Sequence, residues 1–493
     1  MMRELTTDVA VLGFGGAGAT AAIEAHDAGA SVVILEKMES GGGTTQESSG
    51  NIRVIKDHDR AADHYCQLTL GTTPLAVMQV FAYGISEIPK WIESLGGQIH
   101  ETQADPIKYI FPHIAPTTSY PNFAGSEAIG GRFAVKSERD EGGGAALWRV
   151  LEKNVRSRGI EVLYDTRANK LIKKDGEIVG VRAATTDSEL TIHTKKGVVL
   201  ATGGFSYNNE MQRQFIGMEL FAFSPPRRNT GDGIIMAQDV GADLWHMTAA
   251  VCGFGYKVPG YEAAFCAGLL SPGFFIVDQK CRRFMNEAHV EFHSGLLSSQ
   301  VLDSVEGRRY RMPSYLIFDE ETRLSGPIAT RVKHSYNQRF KWSDDNSTEI
   351  KRGWIKTSQT IEGLANQLDL MSEQLQSAKT SFDEASQHGD KDFGRAKETM
   401  RPLDRPPYYG IAIWPSLSNT QGGPRRNESA RVIDVFGKEI PRLYSAGELG
   451  SIWGQLYPGA GNVSECIVFG RIAGRNVAAE QAIPNNPIRT GES

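Results

Sequence analysis

The segment from Asp8 to Glu36 constrains the fold more than any other part of this sequence. It reads as an apolar strand, a glycine turn from Gly13 to Gly18, an alanine-rich helix, and a second apolar strand that ends on Glu36. In such a unit the first glycine permits the tight turn, the second lets the backbone approach a pyrophosphate, and the third lets the helix pack closely on the sheet. The helix N-terminus points free amides at the phosphates. We therefore predict a dinucleotide site rather than a glycine-rich turn without a ligand.

Four stretches supply the cofactor contacts that we predict from the residues. Glu36 stands where an acid accepts hydrogen bonds from a ribose hydroxyl. The polar loop after Ser40 can wrap phosphates and a ring system with its hydroxyl and glycine residues, and the alternative is a flexible linker. A buried strand ends at Ala201 to Gly204, which suggests close backbone approach to a ligand, and Asp232 begins a helix. The predicted contacts are Gly13, Gly15, Gly16, Ala17, Gly18, Glu36, Lys37, Gly43, Thr44, Thr45, Ser49, Gly50, Ala201, Thr202, Gly203 and Asp232.

Length and charge narrow the class of protein. A chain of 493 residues, with 40% hydrophobic and 23% charged residues, is too long for one core, so two or three domains are expected. A formal net charge of −5 provides no basic field for nucleic acid or an anionic membrane. No stretch approaches the roughly 18 apolar residues that span a bilayer, and no signal peptide precedes the first strand. We expect a cytoplasmic protein that acts on small molecules, with no nucleic acid partner and no transmembrane segment.

The five cysteines are scattered and never form a CxxC pattern: Cys66, Cys252, Cys266, Cys281 and Cys466. This spacing excludes a sequence-obvious zinc, iron–sulfur or c-type haem site. It fits a reducing compartment. We interpret these cysteines as buried small hydrophobes and predict no metal site.

Hydrophobic periodicity outlines the remaining elements. It predicts helices within 57–96, through 147–155, at 234–240, around 375–385 and at 463–479. It predicts strands at 160–164, 197–200, 274–277 and 408–415, and hairpins at 169–181 and around 437. Composition shifts after about residue 247, and strand and glycine patterns return near the C-terminus. We predict three segments: 1–247 and 406–493 for cofactor binding, and 248–405 between them.

Six ordered motifs together resemble the FAD-dependent fumarate reductase/succinate dehydrogenase flavoprotein family, which also contains the 3-ketosteroid dehydrogenases. These motifs are the dinucleotide turn, Thr44 to Gly50, Ala201 to Phe205, Thr230 to Gly233, Arg283 to Glu287, and Ala446-Gly447-Glu448 with its following glycine loop. The resemblance implies an α/β fold in which both chain ends form a Rossmann-like, glutathione-reductase-like FAD-binding domain. It also implies an inserted α+β substrate-capping domain, with the isoalloxazine at the junction. It adds further cofactor contacts at Gly447, Glu448, Gly461, Asn462 and Val463.

The departures from the family pattern decide between its branches. Covalent members carry a histidine in the loop where this sequence has Thr44-Thr45-Gln46, so the resemblance implies non-covalent FAD. Fumarate-type members bind two carboxylates with histidines and arginines, and the corresponding residues here are Gly253, Glu291, Trp453 and Tyr457. A pocket without those cations would leave a dicarboxylate desolvated and unpaired. The pattern therefore disfavours fumarate and succinate as substrates.

The replacing residues resemble the 3-ketosteroid dehydrogenase branch. The run from Tyr457 to Gly461 is similar to that branch's Tyr-x-Gly-x-Gly, in which the tyrosine hydroxyl and the last glycine's amide bind a ketone oxygen. The loop around Tyr120 is similar to the one that bears its second tyrosine. The resemblance thus implies Tyr457 and Gly461 as polarising donors, and Tyr120, then Glu291, as the general acid or base. The alternatives are that Tyr457 is a packed aromatic and Glu291 a structural carboxylate.

The implied function is that of an FAD-dependent oxidoreductase acting on CH–CH groups. It would reduce or introduce a carbon–carbon double bond next to a carbonyl, on an apolar enone or ketone. The sequence has no haem, iron–sulfur or second dinucleotide motif, so we expect an external electron donor or acceptor. One alternative is fumarate-reductase-like reduction of an unsaturated carboxylate, with an arginine recruited from elsewhere in the chain. An alternative of another class is a non-catalytic, flavin-binding redox sensor.

Overall fold

The structure is a computed structural model that describes residues 3–102, 120–137, 142–185, 187–223, 228–269, 271–288, 293, 295–329 and 340–484. Within these residues the chain forms twenty strands: β1 (Arg3–Leu12), β2 (Val32–Leu35), β3 (Ile52–Ile55), β4 (Ile99–Thr102), β5 (Ile129–Val135), β6 (Glu161–Leu163), β7 (Arg167–Lys174), β8 (Glu177–Ala184), β9 (Glu189–Leu200), β10 (Phe221–Ala222), β11 (Leu244–Trp245), β12 (Ala250–Tyr256), β13 (Phe265–Cys266), β14 (Phe274–Val277), β15 (Ser314–Asp319), β16 (Lys356–Ser358), β17 (Tyr408–Thr420), β18 (Gly423–Pro424), β19 (Arg431–Ile433) and β20 (Glu439–Ser445).

The same residues form twelve α-helices: α1 (Gly16–Asp27), α2 (His58–Leu68), α3 (Leu75–Ser94), α4 (Gly143–Ser157), α5 (Asn209–Met211), α6 (Asp232–Asp239), α7 (Gly295–Ser299), α8 (Glu320–Leu324), α9 (Ser347–Lys351), α10 (Ile361–Leu368), α11 (Ser372–His388) and α12 (Gly461–Ala479). No described helix combines the length and the apolar content needed to cross a bilayer. The cytoplasmic location stays a prediction.

The first sheet carries the dinucleotide unit. Its strand order is β19-β20-β9-β1-β2-β6, and β20, β9, β1, β2 and β6 pair in parallel. The hairpin of β7 and β8 extends it along β9. Because parallel strands end at one edge, the segments that follow β1, β2, β9 and β20 meet there.

Alternate residues of β1 enter two different cores. Val9 and Val11 pack into an apolar cluster with α1, α3 and α12, whereas Ala10 and Leu12 pack into a second cluster with β8 and α6. Both faces of the sheet are therefore buried at this end of β1. This is why Val9 to Leu12 form a continuous apolar run in the sequence, whereas the more exposed start of the strand is mostly polar.

Helices α1 and α12 approach each other closely, although they come from opposite ends of the chain. A side-chain carbon built on Gly470 would lie 2.9 Å from the Ala17 carbonyl oxygen, and one built on Gly474 would lie 2.3 Å from that of Ala21. Such distances exclude any larger residue at these two positions without a shift of the helices. The C-terminal helix is thereby held against the helix that follows the glycine turn.

The second sheet has the order β13-β12-β17-β15-β14, and β10 and β16 also pair with β17. Its pairing is antiparallel except for β10 with β17. Alternate residues of β14 again enter two clusters, with Phe274 and Ile276 in one and Phe275 and Val277 in the other. Strand β17, from the third predicted segment, pairs with β12 and β15 of the second, so these segments share a sheet. The boundaries at 247 and 405 stay a prediction.

The structure confirms the predicted β1-α1-β2 unit, the β7–β8 hairpin and the helix around residues 375–385. Several elements begin earlier than predicted, among them β1 at Arg3, β9 at Glu189 and α12 at Gly461. The region 57–96 forms two helices, α2 and α3. Strand β17 continues to Thr420 because it pairs with β12 beyond Pro415.

A fully buried ion pair ties α12 to the loop that precedes it. Arg426 and Glu465 are both without solvent exposure and are joined by a hydrogen bond. Glu465 also accepts hydrogen bonds from the Ser451 hydroxyl (2.7 Å) and the Ile452 amide (2.8 Å). Arg426 donates to the Leu449 carbonyl at 3.1 Å. One carboxylate therefore orients both the loop and the first turns of α12.

Replacing Glu465 by glutamine should lower the free energy of unfolding by about 3–5 kcal/mol, because Arg426 then keeps its charge in a buried site without a counter-ion. The double variant Arg426→Met/Glu465→Leu removes both charges and should be more stable than the single variant. Urea unfolding of the purified proteins measures both. A double variant that is less stable than Glu465→Gln would contradict this account.

Candidate cofactor and substrate site

A cleft of about 810 Å³, counting the space open to solvent, lies at the carboxyl ends of the parallel strands. Its walls include Leu12 at the end of β1, Leu35 at the end of β2, Ala201 just after β9, and Ala446 just after β20. Ligands of open α/β sheets bind at this edge. The first sheet therefore places the cleft where a dinucleotide is expected.

Fourteen of the predicted cofactor contacts line this cleft: Gly13, Gly15, Gly16, Ala17, Glu36, Lys37, Gly43, Thr44, Thr45, Ala201, Thr202, Gly203, Asp232 and Glu448. Seven others lie outside its lining: Gly18, Ser49, Gly50, Gly447, Gly461, Asn462 and Val463. Residues that were not among the predicted contacts also line it: Phe14, Met38, Ser40, Thr166, Arg167, Ala168, Arg228, Asn229 and Cys466. Thr166 to Ala168 follow β6, whose place in the parallel sheet could have indicated them.

The glycine turn has the geometry that its sequence requires. Gly13 has φ +102°, and a side-chain carbon there would lie 2.4 Å from the Ala201 carbonyl oxygen. A carbon on Gly18 would lie 1.9 Å from the Gly13 carbonyl oxygen. By contrast, a carbon on Gly15 would come no closer than 3.8 Å to its nearest described neighbour, Gly43. Gly13 and Gly18 are thus required by the protein itself, whereas Gly15 faces the open cleft.

Glu36 stabilises this turn through two hydrogen bonds. Its carboxylate accepts hydrogen bonds from the Phe14 amide (2.8 Å) and the Met38 amide (2.9 Å). Burial raises the pKa of Glu36, and the two amide hydrogen bonds oppose that rise. The carboxylate therefore connects the glycine turn to the end of β2. Its predicted bond to a ribose hydroxyl stays a prediction.

Lys37 and Asp232 interact with each other at the rim of the cleft. Lys37 Nζ lies 3.1 Å from Asp232 Oδ2, and Arg167 Nη2 lies 2.7 Å from Asp232 Oδ1. Burial opposes the charge of Asp232, but the hydrogen bonds and charges of Arg167 and Lys37 outweigh it, so the pKa of this carboxyl is lowered. An anionic Asp232 thus holds two cations beside the cleft.

Glu448 is the buried acid of the cleft. It accepts hydrogen bonds from Asn229 Nδ2 (3.0 Å), the Thr420 amide (3.2 Å) and Thr44 Oγ1 (3.4 Å). Burial raises the pKa of Glu448 to about 7, although these hydrogen bonds oppose the rise. The carboxyl therefore links the loop after β2 to the end of β17.

Unsatisfied polar atoms on the cleft wall and in the adjoining polar network fit a polar cofactor. Thr202 Oγ1, on the cleft wall, is buried and has no hydrogen-bond partner among the residues that the structure describes. The same holds for Gln421 Nε2 and Asn462 Oδ1, which belong to the polar network beyond Glu448. Buried polar groups normally have partners. A bound flavin dinucleotide offers the oxygen, nitrogen and hydroxyl groups that such atoms would bind.

Tyr457 lies at the N-terminus of α12, and 6% of its surface is exposed. Its hydroxyl oxygen accepts hydrogen bonds from the Gly461 and Asn462 amides, both at 2.9 Å. The ring meets those of His293 and Trp453 edge-on, with centroids 5.0 Å and 5.9 Å away. The structure brings Tyr457 and Gly461 together, but in a different relation from the one expected. The Gly461 amide donates to the tyrosine hydroxyl. The role of these two groups toward a ketone oxygen stays a prediction.

Of the two candidates for the acid or base, Tyr120 lies among the described residues. Tyr120 has φ +59°, and its ring packs edge-on against Phe123 at 6.1 Å between centroids. Glu291 lies outside the described residues. Trp453, which stands where a fumarate-type member has a histidine, is fully buried between Tyr65 and Phe81. The roles of Tyr120 and Glu291 stay predictions.

Two arginines near the Tyr457 loop were not among the predicted site residues. Arg53 of β3 and Arg132 of β5 are opposite each other in the antiparallel pairing. Arg53 is buried and donates to the carbonyls of Pro458 (2.6 Å) and Gly459 (3.2 Å). The only signal in the sequence is an arginine within each of two short apolar stretches, and their proximity depends on strand pairing.

Residues 8–464 match the family described as FAD binding domain. NADH:fumarate oxidoreductase of Klebsiella pneumoniae (strain 342) is 26% identical, over 96% of this chain and 47% of that protein. The 3-oxosteroid 1-dehydrogenase of Mycolicibacterium smegmatis is also 26% identical, over 96% of this chain and 98% of that protein. The solved structure of 3-ketosteroid Δ1-dehydrogenase from Sterolibacterium denitrificans, in complex with 1,4-androstadiene-3,17-dione, has a TM-score of 0.81 at 22% identity, over 96% and 99% of the two chains.

The chain belongs to this FAD-binding family, and its cofactor is FAD. The predicted family resemblance is confirmed by the family match, and the α/β fold is confirmed by the structural likeness. The chain spans about half the length of the Klebsiella pneumoniae relative. Non-covalent attachment of the flavin stays a prediction.

Gly15→Ala should fold normally yet bind FAD about 10- to 100-fold more weakly, because the new methyl group enters the space that a pyrophosphate needs. Thermal unfolding of the apoprotein tests the first expectation, and flavin titration tests the second. Gly131→Ala is the matched control, since a carbon there meets nothing within 4 Å. Unchanged flavin affinity in Gly15→Ala would refute the predicted contact.

Acid precipitation of wild-type holoprotein should leave the flavin in solution if attachment is non-covalent.

Glu448→Gln should stabilise the apoprotein relative to wild type at neutral pH but not at low pH. With a folded-state pKa of about 7 and an ordinary value of 4.5, Glu448 keeps a proton that the unfolded chain releases. Its contribution to stability therefore falls as the pH rises from about 4.5 to about 7. The difference between variant and wild type should change by about 3 kcal/mol across that window. Urea unfolding at pH 4.5 and pH 8 measures it.

The matched control is Glu398→Gln, at an exposed position. Its stability relative to wild type should be the same at both pH values. A pH-independent difference for Glu448→Gln would show that the pKa of this carboxyl in the folded apoprotein is not raised above its ordinary value.

Proposed function

We propose that this protein is an FAD-dependent oxidoreductase of the fumarate reductase/ketosteroid dehydrogenase type. It would reduce or introduce a carbon–carbon double bond next to a carbonyl, and an external donor or acceptor would exchange electrons with it. The observation that carries the proposal is the hydroxyl of Tyr457, which is held by two backbone amides at the start of α12. The relatives named as a fumarate oxidoreductase and an oxosteroid dehydrogenase support the same class.

The Tyr457 hydroxyl is suited to hold a carbonyl oxygen. Two N–H groups donate to it, and a hydroxyl that accepts hydrogen bonds becomes a stronger donor. Both amides belong to the N-terminus of a 19-residue helix, where the helix dipole favours negative charge. Charge that develops on the carbonyl oxygen would therefore meet a donor fixed in advance.

The remaining roles follow from where the chain places its residues. FAD, when bound, supplies hydride transfer to or from a substrate carbon. Residues lining the cleft, such as Glu448, Thr44 and Asn229, would orient it. A general acid or base must exchange the proton on the neighbouring carbon, and we assign this role to Tyr120 first and Glu291 second.

A second candidate is the reduction of an unsaturated carboxylate. The Klebsiella pneumoniae relative is named as a fumarate oxidoreductase, and Arg53 and Arg132 place two cations near the Tyr457 loop. In this alternative the activating group is itself a carboxylate. A protein that binds flavin as a redox sensor, without turnover, is the alternative of another class.

One experiment separates the three functions. The purified holoprotein is reduced chemically without oxygen, and re-oxidation of the flavin is followed by its visible absorption. Re-oxidation by an enone and not by fumarate or acrylate supports the proposed function. Re-oxidation by the carboxylates and not by an enone supports the second candidate, and no re-oxidation by any of them supports the sensor.

Tyr457→Phe should keep its flavin but lose about 10²- to 10³-fold in turnover, as for removal of one oxyanion donor. Stopped-flow re-oxidation of the reduced variant by an enone measures the loss. Tyr256→Phe is the matched control, because it removes a buried hydroxyl that donates to the Ile328 carbonyl in the second sheet. Full activity in Tyr457→Phe would refute the carbonyl-polarising role.

A further inference from the structure

Three of the described residues that line the cofactor cleft are cationic: Lys37, Arg167 and Arg228. Two of them share one carboxylate, because Lys37 Nζ lies 3.1 Å from Asp232 Oδ2 and Arg167 Nη2 lies 2.7 Å from Asp232 Oδ1. The carboxylate nearest to Arg228 is that of Glu47, at 3.7 Å from Nη1, which is beyond hydrogen-bond distance. Arg228 is therefore the cation of the cleft wall whose hydrogen bonds go to uncharged groups.

Those hydrogen bonds hold the polar loop that follows β2. Nη1 of Arg228 donates to the Gly43 carbonyl at 2.9 Å. In the amide orientation that satisfies both of its polar atoms, the Gln46 side-chain oxygen accepts from Nη1 (3.0 Å) and Nη2 (3.2 Å). Only 15% of the Arg228 side chain is exposed. A charged group thus lies mostly buried on the cleft wall, although it is fixed by neutral partners.

The guanidinium keeps one edge for a further ligand. A guanidinium has five N–H groups in a rigid fork, and the bonds to Gly43 and Gln46 use three of them. Because the Gln46 oxygen bridges Nη1 and Nη2, the two remaining N–H groups lie on the edge formed by Nε and Nη2. They have no partner among the residues that the structure describes. Two parallel N–H groups of this kind match two oxygens of a phosphate.

Arg228 is also close to the predicted phosphate position. Gly43, whose carbonyl it binds, lies against the glycine turn: a side-chain carbon on Gly43 would lie 3.3 Å from Gly15 Cα. The Gly42 amide donates to the Phe14 carbonyl of the same turn at 2.7 Å. Gly15, Gly43 and Arg228 all line the cleft. The guanidinium is thus one hydrogen bond away from the pair of glycines beside which we predict the pyrophosphate.

The glycine turn cannot balance the charge of a pyrophosphate by itself. The N-terminus of α1 supplies the equivalent of roughly half a positive charge, whereas a pyrophosphate carries more than one negative charge. Glu36 adds a carboxyl to the same turn. Burial raises the pKa of Glu36, and its amide hydrogen bonds and the charges of Lys37 and Arg228 oppose that rise. A buried phosphate at this turn therefore needs a further cation.

We propose that Arg228 is a phosphate-binding residue of this flavoprotein. Its guanidinium supplies positive charge to the pyrophosphate of FAD through the edge formed by Nε and Nη2, while Nη1 holds Gly43 in place. The cation comes from the segment that leads into α6, and the glycine turn contributes the amides. This inference concerns cofactor binding alone, so it holds whichever substrate the enzyme uses.

The test measures the affinity of the full-length protein for FAD by flavin fluorescence, at low and at high ionic strength, in wild type, Arg228→Gln and Arg228→Lys. Arg228→Gln should bind FAD about 10- to 100-fold more weakly at low ionic strength, because it loses a charge-assisted hydrogen bond pair. Arg228→Lys keeps the charge and should lose less. Since salt screens the interaction, the affinity of wild type should fall more steeply with ionic strength than that of Arg228→Gln.

Competition by ADP and by adenosine, which differ by the pyrophosphate, separates phosphate binding from a purely structural role. Arg228→Gln should weaken competition by ADP about 10- to 100-fold and leave competition by adenosine unchanged. Arg156→Gln is the matched control: it removes an arginine whose side chain is 70% exposed and pairs with Glu152 on α4, and it should bind FAD like wild type.

Two results would overturn the assignment of Arg228. One is an unchanged affinity for FAD in Arg228→Gln. The other is an equal loss for ADP and adenosine with the salt dependence of wild type, because that pattern shows that Arg228 only holds the loop at Gly43. Neither result bears on the carbonyl-polarising role of Tyr457, which turnover measures.

Discussion

Close backbone contact at the carboxyl ends of the parallel strands is the constraint on which the rest of this structure depends. The turn after β1 passes so near to β9 that a side-chain carbon on Gly13 would lie 2.4 Å from the Ala201 carbonyl oxygen, and one on Gly18 would lie 1.9 Å from Gly13 itself. Larger residues at these two positions would displace α1 from the strand ends. Helix α12 then packs on α1 through Gly470 and Gly474, so the position of the C-terminal helix follows from the same close contact.

A polar network joins the cofactor cleft to the candidate substrate loop. Glu448 binds the amide of Thr420 at the end of β17, and the next side chain back, Asn419, accepts a hydrogen bond from Asn462 Nδ2 at 2.8 Å. The backbone amide of Asn462 in turn donates to the Tyr457 hydroxyl. The cofactor cleft and the Tyr457 loop are thus both linked by hydrogen bonds to the end of β17. A shift of β17 would therefore disturb both the flavin contacts and the hydroxyl that we assign to the carbonyl.

The parts of the site that could be predicted are those whose determinants are local. The glycine turn, the following helix and the acid at the end of β2 occupy 29 consecutive positions from Asp8 to Glu36, and each residue's role follows from its place in that unit. The Tyr457 to Gly461 run is equally local. The site residues that could not be predicted are those that are brought into place by pairing between distant segments. Arg53 and Arg132 become neighbours only because β3 and β5 pair, and Arg167 enters the cleft only because β6 continues the parallel sheet.

The hydrogen bond between Tyr457 and Gly461 shows that the sequence does not fix every contact even within a local motif. Their spacing identifies the loop, but the direction of the hydrogen bond depends on where α12 begins, and the structure starts this helix at Gly461. The sequence by itself indicated the class of fold, the FAD cofactor and the loop at which a substrate oxygen is expected, because its short motifs occur in the order of the flavoprotein family that they resemble. Only the tertiary structure decided which charges surround that loop, because burial, strand register and helix packing bring together residues that the chain keeps far apart.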